Sequence, residues 1–442
     1  MSKKSLAQIS LLLVALGPAA LAADRYLIRV PSSKIGDVVA RHGLTLVRSF
    51  RGSASGLHSV QAPSGTDPRL IAADSSVQGV ESDGNLFLPE AAPDFGRHAS
   101  TQVNGLGAPT VVSFYGVQAL GAYVNQPAGP VIALSGARTF ALGAGATVAI
   151  LDTGVDTNHP VLKNSLLPGW DFTRNTSGGS EMADLSQSTT AILDQSTTAI
   201  LDQSTTAILD KKHVVVLNQS TTAILDQSTT AILDHAHLPG DFGHGTMVAG
   251  LVHLVAPKAK ILPVKVFTGD GSTTMSQIVA GIYWAVDQGA DVINMSFSTP
   301  DGSNELKNAI KYANSKGVIC VAAAGNDGKN IVVYPAGYGV IGVGSTDDAM
   351  NRSSFSNRGS DVDLAAPGEG VVTLYPANSY AAAWGTSFSA PLVAGGAALL
   401  VQLGNQSQAA QALSQAVFIG QQLGAGELNL VLACTYRGWY RN

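Results

Sequence analysis

Thr147-Val148-Ala149-Ile150-Leu151-Asp152-Thr153-Gly154 is an unbroken apolar, partly β-branched run that ends in an aspartate and a glycine turn. Such a run marks a strand covered on both faces, as in a parallel sheet flanked by helices. The rhythm continues downstream, with strands expected near Ile261 to Phe267, Val292 to Ser296, Val318 to Ala323 and Gly339 to Gly344. Helices are expected between them, near Thr274 to Gln288 and Asn304 to Lys316. This alternation predicts an α/β domain, doubly wound around a mostly parallel sheet. Ligands of such sheets collect at the carboxyl ends of the strands, where Asp152 lies.

Two further stretches carry chemistry. Asp241-Phe242-Gly243-His244-Gly245-Thr246-Met247-Val248-Ala249-Gly250 sets a histidine in a glycine turn that opens a small-residue helix. Gly385-Thr386-Ser387-Phe388-Ser389-Ala390-Pro391 sets a serine before Leu392 to Leu403, whose Ala, Gly, Leu and Val content is that of a helix buried on all sides, with Pro391 in its first turn. Taken alone, Ser387 reads as an ordinary N-cap. A helix N-terminus also favours the negative charge that an attacking serine oxygen needs. A hydroxyl needs a base to take its proton, and the base needs a third group to orient it; His244 and Asp152 are the candidates.

Asp-Thr-Gly, then His-Gly-Thr-x-Val-Ala-Gly, then Gly-Thr-Ser-x-Ser-Ala-Pro, in that order, resemble the three signatures of the subtilisin-like serine proteases, over Gly143 to Ala433. The resemblance implies a serine endopeptidase with Asp152, His244 and Ser387 as its triad, working through an acyl-enzyme. It also implies that Asn326, in Ala322-Ala323-Ala324-Gly325-Asn326-Asp327-Gly328, donates to the oxyanion. By the same resemblance Gly271, Ser272 and Thr273 form an edge that takes the peptide backbone by strand addition, opposite Ser296, Phe297 and Ser298. Ser298 stands where the family has glycine. Ala323 and Gly325 beside Phe297 imply apolar or small side chains before the cut. The competing reading is a catalytically silent exported scaffold.

Composition agrees with a globular hydrolase: 442 residues, 45% hydrophobic and 13% charged, allow one large core and a smaller module. A net charge of -5 without long runs of one sign gives no sign of a nucleic-acid partner, so none is expected, and protein or peptide substrates fit better. Residues 1–22 carry Lys3, Lys4, an apolar segment from Ile9 to Leu16 and Ala20-Leu21-Ala22, the pattern of a secretory signal too short to span a bilayer. Export to periplasm or medium is expected, with no membrane attachment after signal cleavage. Residues 23–89 read as strand, helix, strand, strand, helix, strand: Tyr26 to Val30, Lys34 to His42, Thr45 to Ser49, Leu57 to Ala62, Pro68 to Asp74 and Val77 to Glu81. The resemblance makes this small α+β module an inhibitory propeptide, the protein's own intramolecular inhibitor; a small binding or adhesion domain is the alternative. Residues 90–142, rich in Gly, Ala and Pro, read as a surface connector, and 434–442 as a tail.

Between Asp152 and His244 lies an array of octads, Gln187 to Asp234, reading Gln-Ser-Thr-Thr-Ala-Ile-Leu-Asp in five identical copies, with Lys211 to Asn218 as a divergent fourth unit. The two site residues are 92 apart and the array takes 48, so the 44 that remain suit neighbouring elements of one domain. The array is therefore an insertion in 143–433. Its even period suits extended coils or a small solenoid better than one helix. Partner binding or display stands against a tolerated surface insertion as its role. Asp156, His159, His213, His235, His237 and His253 follow no metal-ligand spacing, so no metal or other cofactor is expected for the chemistry. The family's loop-bound calcium stays open, since no EF-hand pattern is present. Cys320 and Cys434 are expected to be free thiols.

Overall fold

In a computed structural model the protein is described over residues 24–88, 110–185 and 241–436, and in two short strands between them. The signal segment, most of the octads, His213, His235, His237 and the last residues of the tail lie outside the described residues.

The first module runs β1 (Arg25–Arg29), a helix Ile35–His42, β2 (Thr45–Ser49), β3 (Leu57–Gln61), a helix Pro68–Ala72 and β4 (Gly79–Ser82), the order read from the sequence. Its antiparallel sheet is ordered β2-β3-β1-β4. Local signals set the helix ends. Gly43, at φ +63°, closes the first helix, and the Asp67 side chain accepts the Arg69 N–H at the start of the second. Alternation along β1 then joins two cores: Ile28 packs inside the module with Val38, Val60 and Ile71, while Leu27 packs against the larger domain.

No sequence pattern marks β5 (Asn85–Phe87), which leaves the module's sheet and pairs elsewhere. Residues 110–142 correct the connector reading. They form the hairpin β6 (Val111–Phe114) and β7 (Val117–Leu120) and short helices Gly121–Val124, Ala128–Val131 and Leu134–Ala137. Tyr123 and Ile132 are fully buried in the main core, and the Tyr123 hydroxyl donates to the Gly250 carbonyl at 2.7 Å. The large domain therefore begins ahead of Gly143.

That domain is built on β8 (Thr147–Asp152), β9 (Trp170–Asp171), β10 (Thr176–Ser177), β11 (Val215–Val216), β12 (Thr222–Ile224), β13 (Lys260–Lys265), β14 (Ser272–Thr274), β15 (Val292–Met295), β16 (Ile319–Ala323), β17 (Ile341–Thr346), β18 (Leu364–Pro367), β19 (Val371–Tyr375) and β20 (Ser379–Ala383). Among the described residues eight of these form one sheet, ordered β10-β9-β13-β8-β15-β16-β17-β18. It is parallel except at the β10 edge. The apolar run explains the layering: Val148 and Ile150 face the helices His244–Val255 and Thr386–Gln402, while Ala149 and Leu151 face Met275–Asp287 and Asn304–Ser315. A fully buried Ile150 contributes about 1.5–3 kcal/mol by burial. This is the doubly wound α/β fold that the alternation predicted. A second sheet, β11-β12-β20-β19, sets Thr222–Ile224 of one octad antiparallel to β20.

One helix start differs from expectation. The serine helix begins at Thr386, with Gly385 at φ +142° as its N-cap, so Ser387 is its second residue and Pro391 lies in its interior. A proline there removes the N–H that would bond the carbonyl four residues back, that of Ser387. The Ser296 hydroxyl supplies the missing donor, at 2.7 Å.

Candidate active site

Asp152 ends β8, and the glycine turn before His244 brings that imidazole over it. The approach is tight, because a Cβ on Gly245 would collide with the Gly154 carbonyl. His244 Nδ1 donates to Asp152 Oδ1 at 2.7 Å, and the same oxygen accepts the Thr153 N–H at 2.7 Å. Asp152 is wholly buried and its Oδ2 has no hydrogen-bond partner among the described residues. Burial disfavours the His244 imidazolium, but Asp152, aided by Asp241 and Glu181, outweighs it and raises the pKa above the ordinary histidine value. With Nδ1 taken, Nε2 is the nitrogen left to meet a hydroxyl.

Ser387 lies beside Ser296, which directly follows β15, the strand next to β8 in the sheet. Its hydroxyl donates to the Ser296 carbonyl at 3.0 Å, not to the imidazole. Asn294 Nδ2 donates to the Ser296 hydroxyl at 2.8 Å, so a buried relay from β15 holds the Ser387 backbone. The His244 and Phe388 rings lie 5.3 Å apart between centroids. Asn326 follows Gly325, whose φ of +90° turns the chain after β16. Its Oδ1 accepts the Thr386 N–H and the Thr386 hydroxyl, both at 2.9 Å. The amide NH₂ is thereby oriented beside Gly385 and left free to donate. As the second residue of its helix, Ser387 has an N–H without an intrahelical acceptor.

The residues singled out for peptide binding divide into two groups. Ser272 and Thr273 lie on β14, which pairs antiparallel with β5 in the register Ser272↔Phe87, Thr273↔Leu86, and the Leu88 N–H donates to the Gly271 carbonyl at 2.9 Å. Ser298 and Gly325 face one another: a Cβ on Gly325 would sit 3.1 Å from the Ser298 hydroxyl. In the other group the side chains are buried: Ser296 and Ala323 fully, with Phe297 packed on Phe267 at 5.3 Å, which leaves only their main chain to meet a peptide. Asp156 accepts the Asn158 and Ala377 N–H groups, and burial pushes His253 down to about 4. Among the described residues no group of three or more His, Cys, Asp or Glu could hold a metal. Both cysteines are free, and burial pushes the Cys320 thiol up to about 12.

Two charged residues near the site went unread in the sequence. Glu181 and Lys265 are completely buried behind Asp152 and His244. Neither sits in a signature, and Lys265 ends a strand whose neighbours are all apolar; only a charge amid that run hints at it.

The model of the Subtilase family matches residues 143–421. Thermitase of Thermoactinomyces vulgaris is 36% identical over 279 residues, 61% of this chain and 79% of that protein. Subtilisin DY of Bacillus licheniformis is 46% identical over 173 residues, 36% of this chain and 63%, less than two thirds, of that protein. A solved structure of a cold adapted subtilisin-like serine proteinase is 28% identical, with a TM-score of 0.48 over 65% of this chain and 90% of that one. With the family model spanning well over half its length, the chain belongs to the Subtilase family, the subtilisin-like serine endopeptidases.

Proposed function

We propose that this subtilase hydrolyses peptide bonds outside the cytoplasm through Asp152, His244 and Ser387, and that its first module is a propeptide held as an inhibitor. The observation that carries the triad is the 2.7 Å bond from His244 to a buried Asp152 at the strand end facing the Ser387 helix. In the reaction Ser387 turns about χ1 from the Ser296 carbonyl to His244 Nε2, and attacks the substrate carbonyl as the imidazole takes its proton. Asp152 stabilises the imidazolium. The Ser387 N–H and the Asn326 amide hold the oxyanion, His244 protonates the leaving amine, and water releases the acyl-enzyme by the same steps reversed.

The inhibitor reading is supported by β5, which occupies the β14 edge as an added strand, with Leu88 buried next to it. Since residues from 110 onward belong to the large domain's core, the maturation cut is expected ahead of them. Export is supported by the signal pattern of residues 1–22; no helix among the described residues is long and apolar enough to cross a membrane. Ser387→Ala tests the reading: it should abolish peptide hydrolysis, fluorophosphonate labelling and removal of the first module. Unchanged turnover in that variant ends it.

A further inference from the structure

We propose that Glu181 is a positioning residue for the Asp152–His244 pair, its buried carboxylate joining the loop after Asp152 to the turn that opens the His244 helix. The inference rests on the triad reading above. Glu181 starts a short turn, Glu181–Asp184, just ahead of the octad array. Its Oε2 accepts the Gly243 N–H at 2.9 Å and the Thr153 hydroxyl at 3.2 Å, and its Oε1 accepts the Thr246 hydroxyl. Thr153 follows Asp152, and its hydroxyl oxygen accepts the Gly245 N–H at 2.9 Å; the Thr246 hydroxyl oxygen accepts the Asp156 N–H at 2.7 Å. Gly243, directly before His244, is thus held through the carboxylate to Thr153, directly after Asp152, while Gly245, directly after His244, bonds to the Thr153 hydroxyl that the carboxylate orients.

The other end of the turn grips the same loop. Asp184 accepts Lys265 Nζ at 2.6 Å and Arg174 Nη2 at 2.5 Å, and Lys265 also donates to the Thr153 carbonyl at 2.5 Å. Three donors converge on Glu181, which suits an anion; a protonated carboxyl must itself donate and can no longer accept all three. The groups that face it are Asp156, Lys265, His244 and Tyr375. Burial pushes Glu181 up to about 8, with Asp156 adding and Thr246, Lys265 and Gly243 opposing. Turnover should therefore rise as pH passes through that region and Glu181 loses its proton.

The test uses the mature enzyme and a small chromogenic peptide, with kcat and KM measured across pH for wild type, E181Q and T246V. E181Q is expected to lower kcat about 10-fold to 100-fold at unchanged KM and to lose the ionisation near pH 8. T246V, which removes a donor to the anion, should move that ionisation to higher pH. An E181Q enzyme with the wild-type kcat and pH profile, or one that only melts earlier, overturns the proposal. If E181Q does not fold, a T246V profile that matches wild type overturns it. A wild-type protein that hydrolyses nothing and takes no fluorophosphonate overturns the triad instead, so the two failures are distinct.

Discussion

Asp152 uses one oxygen twice, for Thr153 and His244, and this geometry fixes which imidazole tautomer faces the serine. Asp152→Asn keeps the shape but can present an N–H to Nδ1, and it should cut kcat about 10⁴-fold with little change in KM. The raised His244 pKa has a definite sign in activity. The base must be neutral, so turnover should fall as pH drops through a value above the ordinary 6.5, and a stopped assay series across that range measures it. Asn326→Leu retains bulk but not the donor, and kcat should fall about 10² to 10³-fold. These three side chains and Ser387 stand out in the sequence as candidates because each sits in a glycine turn at an element's end, where spacing is rigid. Glu181, Lys265 and Asn294 do not. They act from the interior through contacts between segments distant in sequence, and no local pattern distinguishes them from ordinary charged or polar residues.

At the scale of elements, the Ser387 helix depends on its interior proline. Pro391 withholds the helical donor from the Ser387 carbonyl, and Ser296, itself held by Asn294, fills the place. Ser296→Ala leaves that carbonyl buried without a partner, which should cost about 1–3 kcal/mol of stability by denaturant unfolding and lower kcat as the serine loses its seat. The module's grip on the large domain is a similar case. Glu81 accepts the Asn304 and Glu305 N–H groups at the N-terminus of the helix Asn304–Ser315, and Arg29 pairs with Glu305 through Nε at 3.1 Å. Glu81→Ala should weaken inhibition by the isolated module about 10-fold or more, read as Ki against mature enzyme. Helices and buried strands of this size were legible from their apolar periods and end residues. The strand β5, the hairpin of residues 111–120 and the short helices after it were not, because elements of three or four residues carry too little pattern and owe their conformation to the surface they pack on.

For the molecule as a whole, the main sheet carries the acid at the end of β8, the helices that pack on that sheet carry the imidazole and the alcohol, and the octads enter between the first two. The array returns to the body through Thr222–Ile224 on β20, whose far end leads into Gly385 and Ser387. Since 44 residues suffice to join Asp152 to His244 without it, deleting 187–234 should leave peptide hydrolysis intact, with kcat/KM on a short substrate within about 10-fold of wild type. The repeat was visible at once in the sequence, but its docking strand was not, since five identical units give no reason to prefer one over another. The central claim, that Ser387 is the nucleophile activated by His244 and Asp152, is tested most directly by labelling the purified protein with a fluorophosphonate and mapping the modified peptide. The account predicts a single adduct on Ser387, absent from Ser387→Ala and suppressed in Asp152→Asn; an adduct elsewhere, or full hydrolysis by the Ser387→Ala protein, would contradict it.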